Sequence, residues 1–308
     1  MANTIKENDN LSDNITELEA KSLNNNYEEE KIIKYDATTG KSTVVDINEL
    51  RQKKNVSNAL NSISTNYTPA YNPSPSLFLD KDNKSSIRGI FDSDFIKVND
   101  TSVFPYRVTC RMIINGGTEY GSGFLVGPNI MLTAAHTIYD EDNDNEVRNF
   151  TVYPGYNNGA YKNYSSGWQA IYRSSIWLET HDREYDWALV ELKEDLGNNL
   201  GWYGTRTYSS DSSLENVSVN LKGYPASLDS GRCQYYINGK IDDVYTRHFI
   251  CSVGNLGGMS GGPIVLSSDN YAVGLISANI TGVLKDNTYG VRLNSYLMDV
   301  IASYIDNN

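Results

Sequence analysis

YRVTCRMIINGGTEYGSGFLVGPNIMLTAAHTIY (106–139) contains three apolar runs, YRVTCRMII (106–114), GSGFLVG (121–127) and NIMLTAAHTIY (129–139), separated by Gly- and Asn-bearing breaks. Short runs of Val, Ile, Leu, Tyr and Phe bounded by turn residues read as β-strands. The texture continues through NFTVYPG (149–155), DWALVEL (186–192), NVSVNLKGYP (216–225), YYINGKI (235–241), GPIVLSS (262–268) and YAVGLISANI (271–280). Many short strands with regular turn signals indicate an all-β sandwich or barrel, not βαβ units. No Gly-rich dinucleotide or phosphate fingerprint follows any of these runs. Only NSYLMDVIASYI (294–305) reads as a helix, because Leu297, Ile301 and Ile305 repeat every four residues with Val300 alongside. Asn294 or Ser295 is expected to cap its start.

Upstream of this body the composition differs. Residues 1–60 are rich in Asn, Lys and Glu, and 61–86 read as Ser-, Asn- and Pro-rich linker. Within the leader, KIIKYDATTGKSTVVDI (31–47) predicts a hairpin turning at Thr39-Gly40. Strands so short need packing on something else to persist. The leader therefore reads either as a disordered tail or as a pro-segment laid over the body. We divide the 308 residues into a leader (1–88), a first β unit (89–205) and a second β unit (206–308) ending in the helix.

The formal net charge is -12, without a local basic patch, so a nucleic-acid partner is not expected. No apolar run reaches the roughly 18–20 residues that cross a bilayer, and we expect no membrane association. The N-terminal MANTIKENDNLSDN lacks the apolar core of a signal peptide. Either the natural protein has no signal, or one has been removed. Cys110, Cys233 and Cys251 make an odd set, which argues for buried thiols; a Cys233–Cys251 bridge across a hairpin is the alternative. DEDNDNE (140–146) is oxygen-rich but lacks the spacing of a calcium loop, so it reads as a solvated acidic loop.

The chemistry concentrates at three places. In GGMSGGP (257–263), Ser260 sits among glycines on a tight turn that exposes a hydroxyl and can aim backbone amides at one point. A flexible Gly/Ser loop is the bland reading, but the flanking residues are β-like. A serine nucleophile needs a base. Of the three histidines, His136 ends an apolar strand among small residues, while His181 and His248 lie in polar stretches. There is no HExxH and no close ligand pair, so we expect no metal and no cofactor. A histidine base needs a carboxylate to hold its tautomer. Asp186, at the entrance of an apolar strand, is the candidate, because a lone charge there is costly unless paired.

TAAH (133–136), DWALV (186–190) and GMSGGP (258–263), in that order, resemble the trypsin-like serine peptidases, and more narrowly the bacterial V8-like and glutamyl-endopeptidase branch. VFPYRVTCRMI (103–113), LKGYP (221–225) and the path from GPIV into YAVGLIS add to the likeness, which runs over roughly residues 88–306. The resemblance implies two six-stranded antiparallel β-barrels of the chymotrypsin type, with a C-terminal helix and the cleft between the barrels. It implies a serine endopeptidase with His136 as general base, Asp186 as its orienter and Ser260 as nucleophile. It further implies that the amides of Gly258 and Ser260 form the oxyanion hole. On the same resemblance Ser277 is expected to help hold Asp186, and the segment with Ile276, Ser277 and Asn279 to bind substrate by strand addition. Met259 stands where the wider family commonly has Asp, which removes the familiar zymogen switch. Ile276 stands where glutamyl endopeptidases carry a histidine, and Gly254 where trypsin has its acidic pocket residue. Neither Glu nor Lys/Arg specificity is therefore expected. The likeness also implies a secreted, monomeric enzyme made as a zymogen and cut by an activating protease near Arg88, Gly89 and Ile90, with a cytoplasmic protein as the alternative. A catalytically silent or latent β-barrel that binds proteins is the competing functional reading.

Overall fold

The computed structural model describes residues 30–46, 94–140, 143, 146–159, 164–281 and 286–305, with the backbone alone at 14–15, 67–68 and 146. In chain order the strands of the first part are β1 (Asn14–Ile15), β2 (Ile32–Asp36), β3 (Lys41–Val45), β4 (Tyr67–Thr68) and β5 (Ile96–Lys97). There follow β6 (Thr109–Ile114), β7 (Glu119–Leu125), β8 (Ile130–Thr133), β9 (Tyr139–Asp140), β10 (Glu146–Val147), β11 (Phe150–Pro154), β12 (Trp168–Ser174) and β13 (Ala188–Leu192). The later strands are β14 (Thr205–Arg206), β15 (Ser218–Gly223), β16 (Tyr235–Val244), β17 (His248–Cys251), β18 (Pro263–Leu266), β19 (Ala272–Ile280) and β20 (Asn287–Arg292). Among the described residues the α-helices are α1 (Ala135–Ile138), α2 (Ser175–Thr180), α3 (Leu196–Leu200) and α4 (Ser295–Ile305).

The all-β reading holds, but the two six-stranded barrels do not. The strands form a ten-stranded and an eight-stranded sheet, with the short β9–β10 pair apart. Among the described residues one closed ring of six strands is present. It runs β18-β15-β16-β17-β20-β19 and closes because β18 pairs with β19 as well as β15. The eight-stranded sheet runs β11-β6-β7-β8-β13-β12-β2-β3 and stays open. A strand has two edges. One edge of β12 pairs with β13, and the leader strand β2 takes the other from Ala170↔Asp36 to Ser174↔Ile32. No edge of β12 is left for β11, whose link to that side is the single bridge Val152↔Ser166. The leader has thus added a hairpin where a barrel would have closed.

That hairpin lies where the sequence predicted it, turning at Gly40 with φ +63°. The three cysteines are free and buried, so the Cys233–Cys251 bridge is absent. Most of the acidic loop lies outside the described residues, as do Arg88, Gly89 and Ile90.

One large core fills the eight-stranded sheet, with Cys110, Met112, Phe124, Leu132, Trp177 and Leu189 among its members. A second core, with Leu221, Ile237, Phe249, Met259 and Ile276, fills the closed ring. Helix α4 follows the ring in sequence, yet Leu297, Met298, Val300 and Ile301 pack into the first core. Asn294 caps it by accepting from the Leu297 amide at 3.0 Å. Tyr304 meets Tyr172 of β12 with ring centroids 4.1 Å apart. The chain end therefore ties the two sheets together.

Candidate active site

His136 sits on α1, directly after the fully buried strand β8. Ala134 and Ala135 precede it, and such small side chains let this corner meet the other sheet closely. An amide in the first turn of a helix has no acceptor within the helix. For His136 that acceptor is Asp186 Oδ1, at 2.9 Å. The other carboxylate oxygen, Asp186 Oδ2, lies 2.7 Å from His136 Nδ1. Asp186 therefore grips both backbone and ring of the same residue, which fixes the ring's rotation.

Asp186 is fully buried, at the end of a one-turn 3-10 helix (Arg183–Tyr185) that leads into β13. Burial alone works to raise its pKa. The neighbouring His136, its hydrogen bond, Arg183 and the Ser277 hydroxyl outweigh that and hold the carboxyl well below the usual carboxylate range. Ser277 Oγ donates to Oδ2 at 2.5 Å, and Arg183 Nη1 stands 3.5 Å from the same oxygen. Ser277 belongs to β19, so the carboxylate of one sheet is held by a hydroxyl of the other.

Ser260 lies on the turn between the Gly254–Gly258 loop and β18, and two glycines shape that turn. Gly258 has φ +89°, and a Cβ there would come within 2.6 Å of Tyr224 O. Gly261 has φ +80°, and its Cβ would fall 2.1 Å from Thr133 Oγ1, 2.3 Å from Ser122 O and 2.8 Å from Ala134 N. Only a residue without a side chain lets the serine turn seat against the corner that carries His136. Ser122 fastens the two from the first sheet. Its amide donates to Ser260 O at 2.9 Å and its hydroxyl to Gly258 O at 2.7 Å. Thr133 Oγ1 in turn donates to Ser122 O at 2.7 Å. Met259 is fully buried in the second core, where it anchors the turn. Its amide donates to Leu256 O, whereas among the described residues no acceptor takes the amide of Gly258 or Ser260.

The structure brings His136, Asp186, Ser277 and the Ser260 turn together. Ile276 is also there, but its side chain is fully buried in the second core and its backbone does the work. Its carbonyl accepts from Gly261 N at 2.7 Å, and its amide donates to Gly262 O at 2.9 Å. Asn279 is oriented by Asn255, whose amide donates to its Oδ1 at 3.1 Å. Asn255 Nδ2 further bonds Ala278 O and Thr288 Oγ1. The other two histidines lie elsewhere in the site's surroundings. His181 caps α2 in the left-handed region, and His248 stacks between Tyr245 and Tyr289 with Nδ1 2.9 Å from Glu184 Oε1. Among the described residues no group of three His, Cys, Asp or Glu converges to hold a metal ion. Ser122, Thr133, Arg183 and Asn255 are the positioning residues that sequence reading passed over. GSGF was legible only as part of an apolar β run, because a contact over so many residues leaves no local mark.

Replacing Gly261 by alanine is expected to cost roughly 2–5 kcal/mol of stability, from left-handed strain plus overpacking. Activity is expected to fall by at least about 100-fold, since a displacement near 1 Å at a reacting centre has that effect. Urea unfolding alongside kcat/KM checks both. A variant within threefold of the parent in activity would mean that this close approach does not hold the site.

Residues 97–301 match the family model described as Trypsin, well over half of the chain. An extracellular metalloprotease of Bacillus subtilis (strain 168) is 34% identical over 44% of this chain, and the match takes in 44% of that relative's length. A glutamyl endopeptidase of Bacillus licheniformis is 29% identical, over 71% of this chain and 70% of that protein. Among solved structures, a Glu endopeptidase in complex with MPD shares the fold with a TM-score of 0.63 at 23% identity, covering 70% of this chain and 99% of its own. The protease Anisep from Arthrobacter nicotinovorans does so with a TM-score of 0.53 at 20% identity, over 69% and 98% of the two chains.

Proposed function

The chain belongs to the trypsin family and is by fold and homology a trypsin-like serine endopeptidase, and on that premise we propose that Ser260, His136 and Asp186 carry out its peptide hydrolysis. The observation that supports this most directly is the chain of bonds from Ser277 through Asp186 to His136, with the bare Gly261 contact seating the Ser260 turn against the His136 corner. Ser260 Oγ attacks the scissile carbonyl while His136 Nε2 takes its proton. The developing oxyanion is met by the amides of Gly258 and Ser260. His136 then returns the proton to the leaving amine. Water repeats the sequence on the acyl-enzyme and releases the acid. Asp186 stays ionised throughout and stabilises the imidazolium.

The substrate is a protein or peptide whose backbone lies along Ser277–Asn279. Metal-assisted hydrolysis, which the name of the Bacillus subtilis relative would imply, has no matching donor set among the described residues. We further infer a secreted, monomeric enzyme with an activating cut near Arg88. The first relative's designation as extracellular supports the secreted reading. Neither acidic nor basic residues are favoured on the acyl side of the scissile bond, because Ile276 and Gly254 supply no charged group at the positions where the resemblance would place one.

Cleavage-site profiling of the protein against a peptide library tests the reading. Hydrolysis at internal bonds is expected, without enrichment of Glu, Lys or Arg before the cut. Strong Glu enrichment would refute the specificity, and absence of any cleavage, before and after a cut near Arg88, would refute the activity.

A further inference from the structure

The leader hairpin is more than a cover. Ile32 is fully buried in the first core, a burial worth about 1.5–3 kcal/mol. Tyr35 packs on Trp168 with centroids 5.9 Å apart. Lys31 and Ser175 exchange two bonds, Lys31 N to Ser175 Oγ at 3.1 Å and Ser175 N to Lys31 O at 2.9 Å. These join the five-residue ladder between β2 and β12.

Just before β2, Glu30 reaches the other sheet. Its side chain is 4% exposed, and Oε2 lies 2.7 Å from Arg247 Nη1, in the connection between β16 and β17. The Arg247 guanidinium lies over the Tyr185 ring, 4.3 Å from its centroid. The side chains of Ser174 and Trp187 face the same Glu30 carboxyl. Tyr185 and Trp187 are the two chain neighbours of Asp186. A single leader carboxylate therefore faces one flank of Asp186 and reaches the other through Arg247. The family match starts at residue 97, so the leader's side of these contacts lies outside the matched segment.

We propose that residues 30–46 are a resident part of the working protein: a strand pair that stays bound when the chain is cut between it and residue 94, with Glu30 acting as a positioning residue for the Asp186 turn. The second half rests on the catalytic reading above, whereas the first stands without it. A cut near Arg88 then nicks the chain without stripping it, and the product is a non-covalent two-fragment enzyme.

The test uses the full chain with an N-terminal affinity tag and an engineered cleavage site between residues 80 and 81. After cleavage, the tagged fragment is expected to retain the body on the affinity matrix at 0.15 M salt, on the order of physiological ionic strength, and to release it in denaturant. Release without denaturant overturns the proposal. Ile32→Asp is expected to free the body; continued retention would show that the hairpin is not what holds it, and would overturn the proposal as well. For the second half, Glu30→Arg and Arg247→Glu are each expected to slow covalent labelling of Ser260 by a fluorophosphonate about tenfold, and the charge-swapped pair to recover most of that rate, since contacting residues couple by amounts of this order. Single variants with a lowered Tm but the parental labelling rate would overturn the positioning role. A parent that retains its body but never labels would leave the resident hairpin standing and overturn the catalytic reading instead.

Discussion

Ser260→Ala is expected to abolish fluorophosphonate labelling and to lower kcat by about 10⁶-fold, the loss typical of removing the nucleophile of a serine peptidase. The fold should be untouched. The turn takes its shape from Gly258 and Gly261, at φ +89° and +80°, and from the Ser122 bonds to the carbonyls of Ser260 and Gly258. None of these uses the Ser260 hydroxyl. Alanine removes one oxygen and leaves the amides of Gly258 and Ser260 in place, so a residual rate about 10³–10⁴ above water should survive from transition-state binding alone. The measurement is labelling and kcat on the same preparation, with circular dichroism and Tm to establish the fold. A variant that still labels would move the nucleophile to another serine.

Asp186→Asn is expected to lower kcat by about 10⁴-fold with little change in structure. The carboxylate now accepts from His136 N, His136 Nδ1 and Ser277 Oγ. An amide offers a single oxygen and an NH₂ group, so one of these donors must face another donor. If the amide nitrogen meets the ring, His136 takes the tautomer that places its proton on Nε2, where it cannot serve as the base. The same substitution carries a stability signature. Asp186 is held below its ordinary value of 3.8, so its contribution is fully present above that pH and is lost as the pH falls through the lowered value. The parent's unfolding free energy should therefore drop more steeply than the variant's on acidification below about pH 4. Denaturant unfolding at a series of acidic pH values reads the difference directly. Equal slopes, or kcat within tenfold of the parent, would remove Asp186 from the role assigned to it.

His136, Asp186 and Ser260, the residues proposed for the chemistry, each stand in a local pattern with its own chemical signature: a histidine after an apolar strand, a charge at a strand entrance, and a serine among glycines. The hairpin at 31–47 was legible for the same reason, as two β-rich runs around Thr39-Gly40. The C-terminal helix followed from its four-residue repeat. Ser122 was not legible. Its partners Gly258 and Ser260 lie far along the chain, and nothing in GSGF announces a bond to them. The role of Ile276 was read from its side chain, while the structure uses its backbone. The two barrels were expected from a likeness, and the likeness did not extend to a leader strand that would take the free edge of β12.

Taken by itself, the order of residues determined that this protein would be all-β, that a histidine after an apolar strand, a carboxylate at a strand entrance and a serine turn among glycines would occur in that order, and that a hairpin would precede the body. These depend on side-chain period, turn chemistry and residue type, which act over a few positions. Only the tertiary structure decided that one six-stranded ring closes and the other sheet stays open. It alone decided that α4 packs back onto the first core and that Glu30 reaches across to Arg247 beside the Asp186 turn. Those outcomes depend on which strand edge and which buried charge find partners first among all that the chain offers. That competition is settled by packing across the whole molecule, where no short stretch of sequence carries the answer.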